Sequence, residues 1–166
     1  DTKGETFGGQ NFFNHVRHLT IDAGDNPGAI GLSFQTNNTG SVQDVRIVGN
    51  GAIGLDLQQS WPGPGLIQEV EIDGFDYGVK IGHDQYSMTF ERVTIRNAGV
   101  CGFYNGGNTC SIRRLMTENC APAVRNHGGS AMMTLLDCDL RGEGSSAVEN
   151  GENGGLLVRN LKTSGF

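Results

Sequence analysis

The chain has 166 residues, 36% hydrophobic and 18% charged, with 27 Gly, only 4 Pro and a formal charge of −6. Its length sets one domain, residues 1–166, as the default, while recurrent apolar residues without a Gly-X-Y period exclude both collagen and disorder. Eighteen acidic against twelve basic side chains make a surface that repels phosphate backbones and anionic lipid heads, and no apolar stretch approaches the roughly 18 residues of a membrane span.

Residues 1–10 are Gly-rich and carry no secretory leader pattern. The start at Asp1 rather than Met suggests a processed or excised chain. From Val16 onward an apolar-x-x-apolar-x-apolar pattern recurs. Its copies are Val16-Leu19-Ile21, Val42-Val45-Ile47, Ile67-Val70-Ile72, Phe90-Val93-Ile95, Ile112-Leu115-Thr117, Met133-Leu136-Cys138 and Val158-Leu161-Thr163. The third position lies two residues beyond the second, as one face of a strand requires. Between the copies runs a second register, a small residue followed by an apolar one: Gly31-Leu32, Gly54-Leu55, Gly78-Val79, Gly102-Phe103, Ala123-Val124 and Ala147-Val148. Two residues further stand Phe34, Leu57 and Ile81, then Asn105, Asn126 and Asn150.

A period of about 21 to 26 residues holds two or more strands and leaves no room for a long helix. These features predict an all-β fold, a right-handed parallel β-helix of about seven turns, each strand stacking on its equivalent one turn earlier. At a rung spacing of about 4.8 Å the rod is on the order of 30 Å long. Gly49, Asn50, Gly51, Gly74, Asn97, Gly99 and Asn119 are expected at corners after the first strand. Stacked inward, Asn105, Asn126 and Asn150 are expected to form an amide ladder, a structural role rather than a catalytic one.

The segment Asn11-Phe12-Phe13, Val16-Arg17, Leu19-Thr20-Ile21-Asp22, Pro27-Gly28-Ala29-Ile30-Gly31-Leu32, then Ser41-Val42-Gln43-Asp44-Val45, resembles extracellular β-helices of the pectate-lyase-like superfamily. It is most similar to the first β-helix of glycoside hydrolase family 55, the exo-β-1,3-glucanases, and related bacterial proteins. The likeness covers residues 11 to 48 and implies fold more than activity. Family 55 proteins join two β-helices, with the general acid on the second, so that residue has no counterpart here. Gly82-His83-Asp84 is similar to one polygalacturonase element, but the carboxylate elements of that family are absent. For a lyase-type calcium site the outward acids Asp22, Asp73, Glu118 and Asp139 are interrupted by Val48 and Arg96. Acids two turns apart, about 10 Å, are too distant to share an ion directly, so calcium stays an open but unsupported option and no cofactor is called for.

Two loops on successive turns collect the polar and aromatic residues that suit sugars. Gln58, Gln59 and Trp61 lie in the first, His83 and Tyr86 in the second, together expected to bind substrate through stacking and hydroxyl contacts. Glycoside hydrolysis needs two carboxyl groups, about 5 Å apart for retention or about 6.5 to 9.5 Å for inversion, and Asp56 with Asp84 is the best pair the sequence offers. Against these stand plainer readings, Trp61 as a lid over the core and the acids as solubilising charge. No zinc or serine-nucleophile motif occurs. Cys101 and Cys120 lie near successive corners and are a candidate bridge, whereas Cys138 reads as a buried thiol. The function expected is that of a secreted or cell-envelope carbohydrate-active protein, a glycoside hydrolase of β-glucanase type or its β-helix portion. The alternatives are a non-catalytic glycan-binding or structural β-helix of adhesin or tailspike type, and a polysaccharide lyase. Open strand edges at both ends predict a longer polypeptide or end-to-end association.

Overall fold

The computed structural model describes residues 11–60, 62–84, 86–151 and 153–166. Among these residues all regular structure is strand, and no helix is long and apolar enough to cross a membrane. Seven rungs form the first part of each turn. They are β1 (His15–Asp22), the opening halves of β3 (Asn37–Leu57) and β4 (Gly63–Ile81), β5 (Ser87–Arg96), β7 with β8 (Thr109–Arg113, Met116–Glu118), β10 with β11 (Met132–Leu136, Asp139–Arg141), and β13 with β14 (Gly155–Arg159, Lys162–Ser164). Six form the second part: β2 (Ile30–Ser33), the closing halves of β3 and β4, β6 (Cys101–Asn105), β9 (Val124–Asn126) and β12 (Val148–Asn150). Every ladder between successive rungs is parallel. The chain is therefore a parallel β-helix of about six turns, in keeping with its seven pattern copies, since only the first strand recurs a seventh time.

The gap of two residues in the repeat has a backbone cause. His18, Asp44, Glu69, Arg92, Arg114, Asp137 and Asn160 stand between the first and second apolar positions, and all have φ between 52° and 58°. A left-handed residue breaks the in-out alternation, so the apolar residues on both sides of it face the core: Val42, Val45 and Ile47 are all buried while Asp44 is exposed. Each such non-Gly residue costs about 1–2 kcal/mol. Side-chain bonds along the column offset part of that cost, as His18 Nδ1 to Asp44 (2.8 Å), Arg92 to Glu69 (2.7 Å) and Asn160 to Asp137 (2.8 Å).

That column also corrects the sixth copy of the repeat. Ile112 pairs with Leu135, which pairs with Val158, and Thr117 pairs with Leu140. The inward triplet is Leu135-Cys138-Leu140, all buried, two residues later than the pattern Met133-Leu136-Cys138. Met133 also faces inward, which makes the earlier register look equivalent on hydrophobicity alone; the left-handed Asp137 decides it. In consequence Arg141, not Asp139, continues the outward row of Asp22, Val48, Asp73, Arg96 and Glu118.

The second register holds as read, with Leu32, Leu55, Val79, Phe103, Val124 and Val148 in one column. Its small residues are dictated by the opposite wall. A Cβ on Gly31, Gly54 or Gly78 would collide with Cγ2 of Ile47, Ile72 or Ile95 respectively. The asparagine ladder forms: Asn105 Nδ2 donates to Asn126 Oδ1 (2.9 Å), and Asn126 Nδ2 to Asn150 Oδ1 (2.8 Å). At the corners Gly49, Gly74, Asn97 and Asn119 have positive φ, and Asn119, Asn97 and Asp73 form a second ladder (2.9 and 2.7 Å). All four cysteines are buried free thiols, so Cys101 and Cys120 are not bridged.

Candidate functional site

The two loops singled out in the sequence lie on adjacent rungs. Gln58 Cγ lies 3.9 Å from where Gly82 would carry a Cβ, which sets the Gln58 loop beside the His83 loop. Asp56 is 5% exposed, and its Oδ1 accepts bonds from the Gln58 backbone (3.0 Å) and from Gln58 Nε2 (2.9 Å). This is an Asx turn that closes the strand. Gln59 is exposed, and Trp61 lies outside the described residues. In the second loop His83 and Tyr86 take left-handed backbone (φ 80° and 67°), Tyr86 is 48% exposed, and Asp84 is exposed with Oδ1 3.7 Å from His83 Nδ1. The loop is held from the next turn by Asn108, a wholly buried residue whose Nδ2 donates to the carbonyls of His83 (2.9 Å) and Tyr86 (3.0 Å). The loop residues thus come together, while the two proposed carboxyl groups differ sharply: Asp56 is enclosed by its own turn and Asp84 stands in solvent.

A second site, not anticipated from the sequence, runs along the outer face of the second strand. The residue after each apolar one points outward, and from turn to turn these are Asp56, Lys80, Tyr104, Arg125 and Glu149. With Tyr77, His127, Asn150 and Gly151 the last four line a groove of about 480 Å³. Tyr77 and Tyr104 meet edge to face with centroids 5.9 Å apart, and Lys80 Nζ sits 4.5 Å from the Tyr77 ring centre and 5.7 Å from that of Tyr104. Gly106 lets the Tyr104 ring approach the backbone closely, since a Cβ there would come within 3.1 Å of Cε1. At the far end Arg125 Nε donates to Glu149 Oε2 (2.6 Å), which holds the Glu149 carboxyl below its usual range and raises the Arg125 guanidinium. Tyr104, Lys80 and Arg125 each follow Val79, Phe103 or Val124 by the strand alternation, a signal present in the sequence.

A larger groove of about 700 Å³ crosses the left-handed column between His18 and Thr94. Among its lining charges His18 meets Asp44 and Arg92 meets Glu69, Glu71 is met by Arg96 from outside the lining, Arg46 stands beside them without an ion pair among the described residues, and no Phe, Tyr or Trp lines it. Among the described residues no three His, Cys, Asp or Glu side chains converge as metal ligands. The chain matches no family model, no curated protein and no solved structure.

Proposed function

We propose that this chain is the glycan-holding β-helix of an extracellular carbohydrate-active protein, engaging a polysaccharide along the Tyr77–Tyr104 groove. The observation that carries the reading is the pair of half-buried tyrosines, fixed by mutual edge-to-face contact and flanked by Lys80, Arg125, His127 and Asn150. Rings with one apolar face and a wet hydroxyl suit the C–H face of a sugar, and the surrounding donors suit its hydroxyls. Because the groove crosses successive rungs at about 4.8 Å each, it accommodates a chain lengthwise rather than a single compact ligand. The resemblance of residues 11–48 to the first helix of family 55 adds support and leaves the general acid on a different helix. Holding is favoured over hydrolysis by this chain because Asp56, enclosed by Gln58, cannot approach a glycosidic oxygen without opening its turn.

The test is binding to a panel of β-glucans and uronate polymers, with product analysis. Retention of a polymer without new reducing ends or unsaturated product is expected, with Tyr104→Ala weakening it about tenfold or more at unchanged melting temperature. Turnover that persists in Asp56→Asn and vanishes in Asp84→Asn would replace holding by catalysis. Failure to bind any member of the panel would overturn the proposal.

A further inference from the structure

Resting on the glycan reading, we infer that the Tyr77–Tyr104 groove selects an anionic saccharide, with Lys80 as the group that receives its carboxylate. Lys80 is an ammonium lying over the Tyr77 ring, with the Tyr104 ring centre 5.7 Å away, and among the described residues no carboxylate approaches its Nζ within ion-pair distance. Its nearest acidic neighbour in the outward column, Asp56, is turned into its own Asx turn and bonded by Gln58. Arg125 is different, because Glu149 already engages it. The groove therefore holds two fixed cations and one carboxylate on a chain whose formal charge is −6, a local reversal of sign. Tyrosine faces position a cation but satisfy none of its three N–H donors with a full negative charge. A ligand carboxylate arriving over Lys80 gains charge-assisted hydrogen bonds in a groove partly shielded from solvent by the rings. A neutral sugar would leave the ammonium as it stands.

The experiment measures, by titration calorimetry on the full chain, an oligogalacturonate and the same oligomer with its carboxyl groups reduced to alcohols. The acidic oligomer should bind about tenfold more tightly, with a preference that shrinks as NaCl is raised. Lys80→Met should bring the two affinities within about twofold by weakening only the acidic ligand, the methionine keeping the contact with both rings. Tyr104→Ala should weaken both oligomers alike. Equal affinity of the two oligomers for the native chain overturns the selectivity and leaves glycan holding standing. So does an undiminished preference in Lys80→Met. Binding of neither oligomer, together with no binding to the β-glucans, overturns both the selectivity and the glycan reading.

Discussion

The end of the second strand is built in two ways within one coil. In the first three turns the inward residue there is Phe34, Leu57 or Ile81, and all three are buried against the apolar core. In the last three it is Asn105, Asn126 or Asn150, and the amides reach the loop that follows. Asn105 Oδ1 accepts from the backbone of Gly107 (3.2 Å) and Asn108 (2.8 Å), Asn126 donates to the carbonyl of Ala131 (3.5 Å) and, one turn on, to that of Gly155 (3.1 Å), and Asn150 donates to the carbonyl of Gly154 (2.8 Å). Asparagine corners pin their loops against the coil. Apolar corners cannot bond a loop, so segment 58–60 is held by the neighbouring Asp56 and by Gln35 Nε2 to the Ser60 carbonyl (2.7 Å), and segment 82–84 from the next turn by Asn108 to His83. Those outward loops carry the exposed Gln58, Gln59, Asp84 and Tyr86. The same backbone position thus decides which turns are free to present side chains.

Replacing the middle of the ladder is the largest test of this contrast. Asn126→Leu leaves one of the two Nδ2 hydrogens of the wholly buried Asn105 without an acceptor, the other keeping the Asn108 carbonyl (2.8 Å), and removes the bonds to Asn150 and to the Gly155 carbonyl; at about 1–3 kcal/mol for the buried hydrogen and about 1 kcal/mol for each of the two other bonds, the loss should be roughly 3–5 kcal/mol in urea denaturation. The converse pair sharpens it. Leu57→Asn and Ile81→Asn both bury a new amide, but Ile81 pairs directly with Asn105 and can extend the ladder, whereas Leu57 pairs with Ile81. Ile81→Asn should therefore cost about 1 kcal/mol less, the net worth of one hydrogen bond. Equal costs would mean that the corner follows volume and not amide stacking.

A smaller effect separates the two halves through the glycine column. Gly78→Ala forces a methyl against Ile95 Cγ2 and the Gly102 carbonyl, which should cost about 1–3 kcal/mol by overpacking. Ala123→Gly, in the half where the column already carries a methyl, should cost only about 0.5–1 kcal/mol, chiefly from backbone entropy. Thermal denaturation of the two variants side by side measures the difference.

The coil, its second register and the asparagine ladder were legible because stacking puts chemically equivalent residues at a fixed spacing. The misplacement of the sixth copy was not a failure of hydrophobicity, since Met133 and Leu135 both face inward. What decides the register is the φ of Asp137, and the left-handed column bears His, Asp, Glu, Arg and Asn, with no glycine to announce it. The Tyr77–Tyr104 groove was missed for a different reason. Lys80, Tyr104 and Arg125 stand one residue after the apolar column, where the pattern marks a side chain as outward without distinguishing a lined groove from ordinary solvated surface. The burial of Asp56 could not be read at all, because an Asx turn onto Gln58 depends on where the strand stops.

The thiols give the gentlest probe, since all four lie in the asparagine-cornered half. Burial raises Cys101 from 9.0 to about 12, and Cys110, wholly enclosed, is raised further. Below pH 9 the folded and unfolded chains both carry protonated thiols, so the contribution to stability is complete. Above it the unfolded chain releases protons that the folded chain keeps, and stability falls as pH rises toward about 12. At pH 10 the loss should be about 1.4 kcal/mol for each deeply buried thiol. Cys101→Ala should flatten the decline by that share while lowering the plateau below pH 9 through the lost packing. In hydrogen exchange at pH 10 the amides of β9 and β12 should open before those of β3, because the early turns contain no thiol to ionise. Uniform opening along the coil would show that its turns unfold as one unit and that the two kinds of corner do not divide it.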